Sequence, residues 1–239
     1  LVLEHARTGC DLIVSTGMAT LSEIEQVLSV IGFGYIHPEG NPTDEALQTA
    51  YFSEHGKQLL KEKVTLLHCT TEYPAPFNDI NLNAMDTMKD AFKLEVGYSD
   101  HSAGIVVPIA AVAKGAVLIE KHFTLDRSGG GPDDSFSLEP AEMGALCRDT
   151  KTAWSALGRV DYGRKSSELG NVQFRRSLYF IKNMKAGEVI TPECIRSVRP
   201  GYGLPPKYYD QLVGTKVAVD VKEHTPVLLD VLANIDKLL

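Results

Sequence analysis

The chain has 239 residues, of which 44% are hydrophobic and 23% are charged, a composition typical of a folded globular protein. This composition excludes a disordered chain, a collagen-like fibre and a small disulfide scaffold. The 24 lysines and arginines against 31 aspartates and glutamates give a formal net charge of -7. Such an excess of negative charge predicts binding neither to nucleic acid nor to an anionic membrane surface.

The four cysteines are scattered and show no CxxC spacing, so we expect reduced thiols in a cytoplasmic protein. No apolar run reaches the roughly 18 residues that a membrane-spanning helix needs. The first residue is Leu1, and the residues after it read as the end of a helix that runs into a strand. We therefore expect the chain to begin inside a fold.

The first two-thirds of the chain alternates short apolar runs with longer amphipathic stretches. Each apolar run ends in polar residues, as buried parallel strands do. The four runs are residues 11–16, 64–70, 95–101 and 117–124. Helical patterns follow each run, and four successive β-then-α units predict an α/β fold with a parallel sheet.

The helix signals vary in kind along the chain. Ser22 and Glu25 form an S-x-x-E capping box that predicts a helix start. Residues 82–92 and 140–157 have helical spacing, and residues 106–117 are apolar almost all round, so we expect that helix to be well buried. An insert at 32–63 is predicted to be loop over 35–42 and to contain helix within 43–60.

The composition changes after about residue 158. Residues 161–172 are polar and are predicted to form a linker. Residues 173–239 contain short apolar runs, such as 177–181 and 217–221, which are separated by turn signals. This spacing predicts a small, separate, mainly β domain.

Two histidines mark a candidate site in the first part of the chain. In a (β/α) barrel the functional side chains follow the C-terminal ends of the strands, and His101 and His122 end neighbouring predicted strands. Two neutral imidazoles with nearby carboxylates can hold a divalent metal ion. Glu120 lies two positions before His122, so both side chains point to the same side of the strand. The alternative is that each histidine is a hydrogen-bonded core residue.

Two further segments are open to two interpretations. The loop 126–134 contains three glycines, which let backbone amides approach a ligand closely, although a plain flexible loop explains the composition equally well. The segment Tyr-Pro-Ala-Pro at 73–76 is either a rigid wall of the site or a turn.

Several long motifs resemble one known family. The segments LLHCTTEYPAP, GYSDHSAG, IEKHFTLDR and GPDDSFSLEP, in that order, are similar to the sialic acid synthases, which include the N-acetylneuraminate, legionaminate and pseudaminate synthases. The downstream segments RRSLYFIKNMKAGEVIT and SVRPGYGLPP resemble the antifreeze-like SAF domain of that family. The resemblance implies the C-terminal part of a (β/α)8 TIM barrel over residues 1–160, followed by a small, mainly β SAF domain over 173–239.

The resemblance also implies a reaction. Members of the family are transferases that condense phosphoenolpyruvate with an N-acetylated hexose, such as N-acetylmannosamine, and release phosphate. The product is a nine-carbon 2-keto sugar acid, and a divalent cation, Mn²⁺ or Mg²⁺, is required. Carried over to this sequence, the resemblance gives His101 and His122 as metal ligands; Glu120, Tyr73 and Asp133 as catalytic residues; and Ser99, Thr71 and Arg199 as substrate-binding residues.

Two of the substrate-binding residues differ from the rest of this set. Thr71 stands where relatives carry asparagine, so this position departs from the family pattern. Arg199 matches an arginine that reaches the N-acetyl group of the sugar from the partner subunit of a domain-swapped homodimer.

A complete (β/α)8 barrel takes roughly 250 residues, whereas only about 160 precede the SAF-like part. The N-terminal strands and the phosphoenolpyruvate-binding lysines of the family therefore have no counterpart here, and we expect the chain alone to be inactive. One alternative is a related aldol condensation on a shorter sugar. Another is a non-catalytic SAF-containing binding or scaffold protein with a degenerate barrel. The motifs do not decide between the sialate, legionaminate and pseudaminate branches.

Overall fold

The first part of the chain forms a parallel sheet. The computed structural model describes residues 1–233 and divides into two compact units, with the boundary between Arg159 and Val160. The first unit contains four parallel strands in the order β1-β2-β3-β4, namely β1 (Leu12–Ser15), β2 (Val64–Cys69), β3 (Glu95–Asp100) and β4 (Ile119–Lys121). Each predicted apolar run contains one of these strands, so the predicted parallel α/β sheet is confirmed.

The helices of this unit are α1 (Val2–Arg7), α2 (Leu21–Ile36), α3 (Asp44–Phe52), α4 (Glu54–Lys63), α5 (Ala84–Phe92), α6 (Val106–Ala113) and α7 (Pro140–Leu157). The predicted capping box at Ser22 and Glu25 is wrong by two residues. The box is formed by Thr20 and Glu23, because the Thr20 hydroxyl accepts from the Glu23 amide while the Glu23 carboxylate accepts from the Thr20 amide at 2.7 Å. Helix α2 also continues into the predicted insert.

Helix α6 differs most from its prediction. It ends at Ala113, before a left-handed Gly115, and Val106 and Val117 are 76% and 54% exposed. The expectation that this segment is well buried is therefore wrong for Val106 and Val117, whereas Ala111 and Val112 are buried. The apolar residues from Val112 onwards instead line an open groove of about 410 Å³ between β4 and α7.

The two faces of the sheet differ in their neighbours. Leu66, Val96 and Tyr98 are buried against the helices in one hydrophobic core. The residues that alternate with these along each strand point to the opposite face of the sheet, which we call the site face. Gly97 lies in the middle of this face, where a Cβ atom would come within 2.6 Å of both Leu67 Cδ2 and the Leu118 carbonyl oxygen.

The second unit is built from short elements. Strand β5 (Ser177–Phe180) pairs with β6 (Ile195–Val198), and β7 (Lys216–Val217) pairs with β8 (Leu232–Ala233), all antiparallel. A short helix α8 (Tyr209–Leu212) and several 3₁₀ turns complete the unit. A hydrophobic core that includes Leu178, Phe180 and Ile195 lies beneath β5 and β6.

One prediction for this part of the chain needs revision, and the predicted linker stays a prediction. The strand predicted at 217–221 is regular only at its first residue, and Val221 forms an isolated bridge to Met184. The predicted linker 161–172 contains most of a 3₁₀ helix, Ser166–Phe174. The strands are too short to confirm a mainly β unit, and residues 234–239 of the predicted domain lie outside the described residues.

Across residues 1–233, no helix combines the length and hydropathy that a membrane crossing requires.

Candidate active site

The site face ends in two facing histidines. His101 follows the last residue of β3 and His122 follows the last residue of β4, so the parallel ladder brings them to the same end of the sheet. Their ring centroids are 5.3 Å apart and the rings are inclined at 68°. His101 is 7% exposed, and the carbonyl oxygen of His122 accepts from the Leu138 amide at 2.9 Å.

The hydrogen bonds of His101 fix its tautomer. Its Nδ1 lies 2.8 Å from the carbonyl oxygen of Thr70, and a carbonyl can only accept, so Nδ1 carries the proton. In the neutral form of the ring the lone pair is therefore on Nε2, which lies 3.5 Å from Ser99 Oγ. A histidine that donates one ring N–H to the backbone and keeps the other nitrogen free is the usual form of a metal ligand.

A serine and a glutamate lie beside this pair. Ser99 and Glu120 are register partners on β3 and β4, and Ser99 Oγ donates to Glu120 Oε1 at 2.6 Å. Ser99 is buried, whereas Glu120 is exposed on the site face. A carboxylate in this position can orient a hydroxyl group or move a proton.

An aromatic wall adjoins the histidines. The Tyr73 ring is 4.2 Å from the His101 ring and 5.6 Å from the His122 ring, centroid to centroid. Phe136 packs against both Tyr73 and His122, at 5.5 and 5.1 Å. Asp133 Oδ2 lies 3.5 Å from His122 Nδ1. The segment 73–76 thus contributes a side of the site, as one of its two interpretations proposed.

The surroundings of Tyr73 keep its phenol neutral. Burial of the hydroxyl, followed by the electrostatic effect of Cys69, Asp133 and Glu120, raises the pKa of Tyr73 above its ordinary value of 10.0. The phenol therefore keeps its proton at neutral pH and can donate a hydrogen bond to an oxygen atom of a ligand.

Two predicted site residues stand apart from this cluster. Thr71 is exposed after β2, and its Oγ1 lies 3.5 Å from the point that a Cβ atom on Gly17 would occupy. In the described residues, no hydrogen bond or ring contact joins Thr71 to the two histidines. Arg199 belongs to the second unit, where it is exposed directly after β6, so its role stays a prediction.

The glycine-rich loop is held by its own carboxylates. Asp134 accepts from Thr124 Oγ1 at 2.6 Å and from the Gly131 amide at 2.7 Å. Asp126 accepts from the amide and the hydroxyl of Ser128. The Gly131 amide is thus already engaged, and the loop has a defined hydrogen-bonded structure.

The sequence reasoning missed three residues of this region. Phe136 is the aromatic residue of the segment that contains Asp133, and its position next to a site loop was the available signal. Asp100 and Lys121 form a buried ion pair on the helix-facing side of the sheet, with Lys121 Nζ 2.6 Å from Asp100 Oδ2. The sequence feature that could have revealed this pair is a charged residue between two predicted site residues, which occurs on each of the two strands.

The donor set fits a divalent metal ion in part. Within residues 1–233, no three side chains of histidine, cysteine, aspartate or glutamate gather at the spacing of a metal centre. The described residues therefore offer two imidazoles, and any further ligands would come from water, substrate or other residues. Imidazole nitrogens are common ligands of first-row divalent metal ions, whereas Mn²⁺ and Mg²⁺ take mainly oxygen ligands, so the two imidazoles supply only part of the donor set of such an ion.

Comparison with known proteins places the chain in a family. Residues 1–162, more than half of the chain, match the NeuB family. The chain belongs to the NeuB family. Residues 175–233 match the SAF domain. The resemblance of the sequence motifs to the sialic acid synthases and to their SAF domain is thereby confirmed.

Two relatives from Campylobacter jejuni align with about nine-tenths of the chain. It is 41% identical over 219 residues to the N,N'-diacetyllegionaminic acid synthase of Campylobacter jejuni, covering 91% of this chain and 59% of that protein. It is 38% identical over 210 residues to the pseudaminic acid synthase of the same species, covering 88% and 54%. The chain thus spans less than two-thirds of the length of these relatives.

A solved structure supports the same fold. The N-acetylneuraminic acid (sialic acid) synthetase of Leptospira borgpetersenii superposes with a TM-score of 0.56 at 33% identity. The match covers 73% of this chain and 52% of that one. The fold of this chain is therefore similar to that of part of the synthetase.

Proposed function

We propose that this chain supplies the metal- and sugar-binding part of a synthase that condenses phosphoenolpyruvate with an N-acetylated amino sugar. The observation that carries the proposal is the meeting of His101 and His122, 5.3 Å apart, beside the bonded pair of Ser99 and Glu120. The names of the two Campylobacter jejuni relatives, a legionaminic and a pseudaminic acid synthase, support this class of product.

His101 and His122 would hold a Mn²⁺ or Mg²⁺ ion. When bound, such an ion supplies Lewis-acid polarisation of the open-chain aldehyde of the sugar. The Thr70 carbonyl supports this assignment because it keeps the lone pair of His101 on Nε2. Asp133, near Nδ1 of His122, would hold the orientation of the second imidazole in the same way.

The reaction forms a bond between C3 of phosphoenolpyruvate and the aldehyde carbon of the sugar. Water adds at C2, and the C–O bond to phosphate breaks, which leaves the 2-keto acid. Glu120 would orient a sugar hydroxyl or carry a proton, since its carboxylate already accepts from Ser99. The neutral phenol of Tyr73 would donate to a substrate oxygen.

The substrate-binding roles of the other two residues are also proposals. Thr71 would lie near phosphoenolpyruvate, which its exposed position after β2 permits. Arg199 would reach the N-acetyl group of the sugar from the second copy in a domain-swapped homodimer. Its exposure after β6 and the match of its unit to the SAF domain support this role.

Binding of Mn²⁺ to the 239-residue chain tests the central assignment. We expect His101→Ala and His122→Ala each to weaken Mn²⁺ binding at least about tenfold, since each removes a ligand. The control is His55→Ala, which changes an exposed histidine on α4 and should leave the affinity unchanged. Titration calorimetry or the electron paramagnetic resonance signal of free Mn²⁺ gives the Kd. Equal affinities for the wild type and His101→Ala would show that the metal assignment is wrong.

A further inference from the structure

We propose that the buried ion pair of Asp100 and Lys121 is a positioning device that holds the ends of β3 and β4, and with them the two histidines, at a fixed spacing. The proposal rests on the proposed function, because it assigns the pair to the service of the same site. Neither residue touches the site face, so both are positioning residues rather than catalytic ones.

The pair is buried and extensively hydrogen-bonded. Lys121 Nζ lies 2.6 Å from Asp100 Oδ2, and the two side chains are 2% and 0% exposed. Asp100 Oδ1 accepts from the Tyr98 hydroxyl at 3.1 Å, from the Ser102 amide at 2.9 Å and from the Ser102 hydroxyl at 2.7 Å. Lys121 also donates to the Ser102 carbonyl oxygen. Both carboxylate oxygens are therefore used, and Lys121 contacts two acceptors.

The pair alternates with the site residues along both strands. Asp100 lies between Ser99 and His101, and Lys121 lies between Glu120 and His122. Because successive strand residues point to opposite faces, the ion pair lies on the helix-facing side while its neighbours lie on the site face. Asp100 and Lys121 are also register partners, and each is the last residue of its strand. The pair thus joins the two strands at the point where the regular ladder stops.

The bonds to Ser102 extend this hold past His101. Asp100 precedes His101 and Ser102 follows it, and the Asp100 carboxylate bonds the amide and the hydroxyl of Ser102. Lys121 bonds the same Ser102 from β4. The backbone on both sides of His101 is therefore tied to the strand that carries His122, which fixes the separation of the two imidazoles.

Stability alone does not account for such a pair. Two charges lose their hydration on burial, and a well-packed apolar pair of similar volume is often as stable. An apolar pair cannot form directional hydrogen bonds. The Asp100 carboxylate accepts four of them, which fix its orientation relative to the neighbouring residues. Groups that hydrogen-bond a metal ligand directly typically change metal affinity about 10- to 100-fold when they are replaced. The ion pair acts on His101 only through the adjacent backbone, so we expect an effect at the lower end of that range.

A matched set of double variants tests the proposal. Asp100→Asn with Lys121→Met removes both charges and keeps similar side-chain volumes. The control, Asp86→Asn with Lys114→Met, removes an exposed pair of the same residue types at 2.8 Å. We expect the buried double variant to keep a Tm close to that of the wild type and to bind Mn²⁺ about tenfold more weakly. The control should bind Mn²⁺ like the wild type.

A second readout needs no metal. The His101 and His122 ring centroids are 5.3 Å apart, so their ring protons should give a nuclear Overhauser effect in the metal-free chain. We expect this signal to weaken in the buried double variant and to persist in the control. The single variant Lys121→Arg keeps the positive charge beside Asp100. It should therefore retain most of the signal and most of the Mn²⁺ affinity of the wild type.

The outcomes separate this proposal from the function on which it rests. Wild-type affinity and an unchanged His101–His122 signal in the buried double variant would overturn the positioning role. If that variant does not fold, Ser102→Ala decides, since it removes one donor to Asp100 and keeps the ion pair: weaker Mn²⁺ binding supports the role and unchanged binding refutes it. If the wild type binds no Mn²⁺, the proposed function fails, and the metal-free signal still tests the positioning.

Discussion

At the scale of single residues, Tyr73 shows how a side chain acquires its properties from distant parts of the chain. Its ring packs against His101 and His122, which follow it by 28 and 49 positions. Its phenol is also partly buried close to the carboxylates of Glu120 and Asp133. The motif around Tyr73 predicted a site residue, but these neighbours depend on the fold and cannot be read from local spacing.

The raised pKa of Tyr73 gives a pH prediction. Burial, followed by the negative neighbours, disfavours the phenolate, so the tyrosine should ionise above its ordinary value of 10.0. Because the folded pKa is raised, the associated stability is present below pH 10 and is lost as the pH rises through the folded value. The absorbance titration of the wild type minus that of Tyr73→Phe isolates this group. A midpoint at or below 10 would contradict the prediction.

At the scale of elements, strands were easier to predict than helix starts. A buried parallel strand is a short apolar run that ends in polar residues, and β1 to β4 each follow that pattern. The start of α2 has two overlapping S/T-x-x-E patterns, at Thr20 and at Ser22. Spacing cannot rank them, because the backbone conformation before the helix decides which hydroxyl reaches the amide three residues on.

The missed ion pair has a related cause. Asp100 and Lys121 become partners only through the register of β3 against β4, which sequence periodicity does not specify. The meeting of His101 and His122 could be predicted without the register, because each histidine lies directly at the end of its strand. Alternation along a strand could assign each residue to a face, but it could not identify the partner across the ladder.

Gly97 provides a stability prediction for β3. A Cβ atom there would lie 2.6 Å from the Leu118 carbonyl oxygen and from Leu67 Cδ2, so Gly97→Ala overfills the centre of the sheet. We expect the free energy of unfolding to fall by about 1–3 kcal/mol in a urea titration.

A glycine on a helix serves as the matched control. Gly144 is exposed on α7, and no atom lies within 4 Å of the position that an added Cβ would occupy. Gly144→Ala should therefore raise the free energy of unfolding by about 0.5–1 kcal/mol. Equal stabilities for the wild type and Gly97→Ala would mean that the strands separate readily around this position.

At the scale of the whole molecule, charge limits what this chain can do alone. Phosphoenolpyruvate carries a phosphate and a carboxylate. Among the described residues, the hydrogen-bonding and ring partners of the two histidines and of Glu120 include no lysine or arginine. The contacts of the site face therefore fit the proposed metal- and sugar-binding role, and among the described residues they include no cation for the phosphate.

We therefore expect the purified 239-residue chain to release phosphate from phosphoenolpyruvate at the background rate, even with Mn²⁺ and an N-acetylated hexosamine present. His101→Ala defines that background in the same colorimetric assay. Phosphate release that is clearly above the rate of this variant would show that the chain is catalytic as it stands.

The open side of β1 has a consequence for assembly. Among the described residues, β1 pairs only with β2, so the outer backbone N–H and C=O groups of β1 are free to form a second ladder. A strand edge of this kind accepts a strand from another polypeptide. The free edge of β1 is thereby suited to bind a separately produced β-strand peptide, and protection of the β1 amides from hydrogen exchange would report that binding.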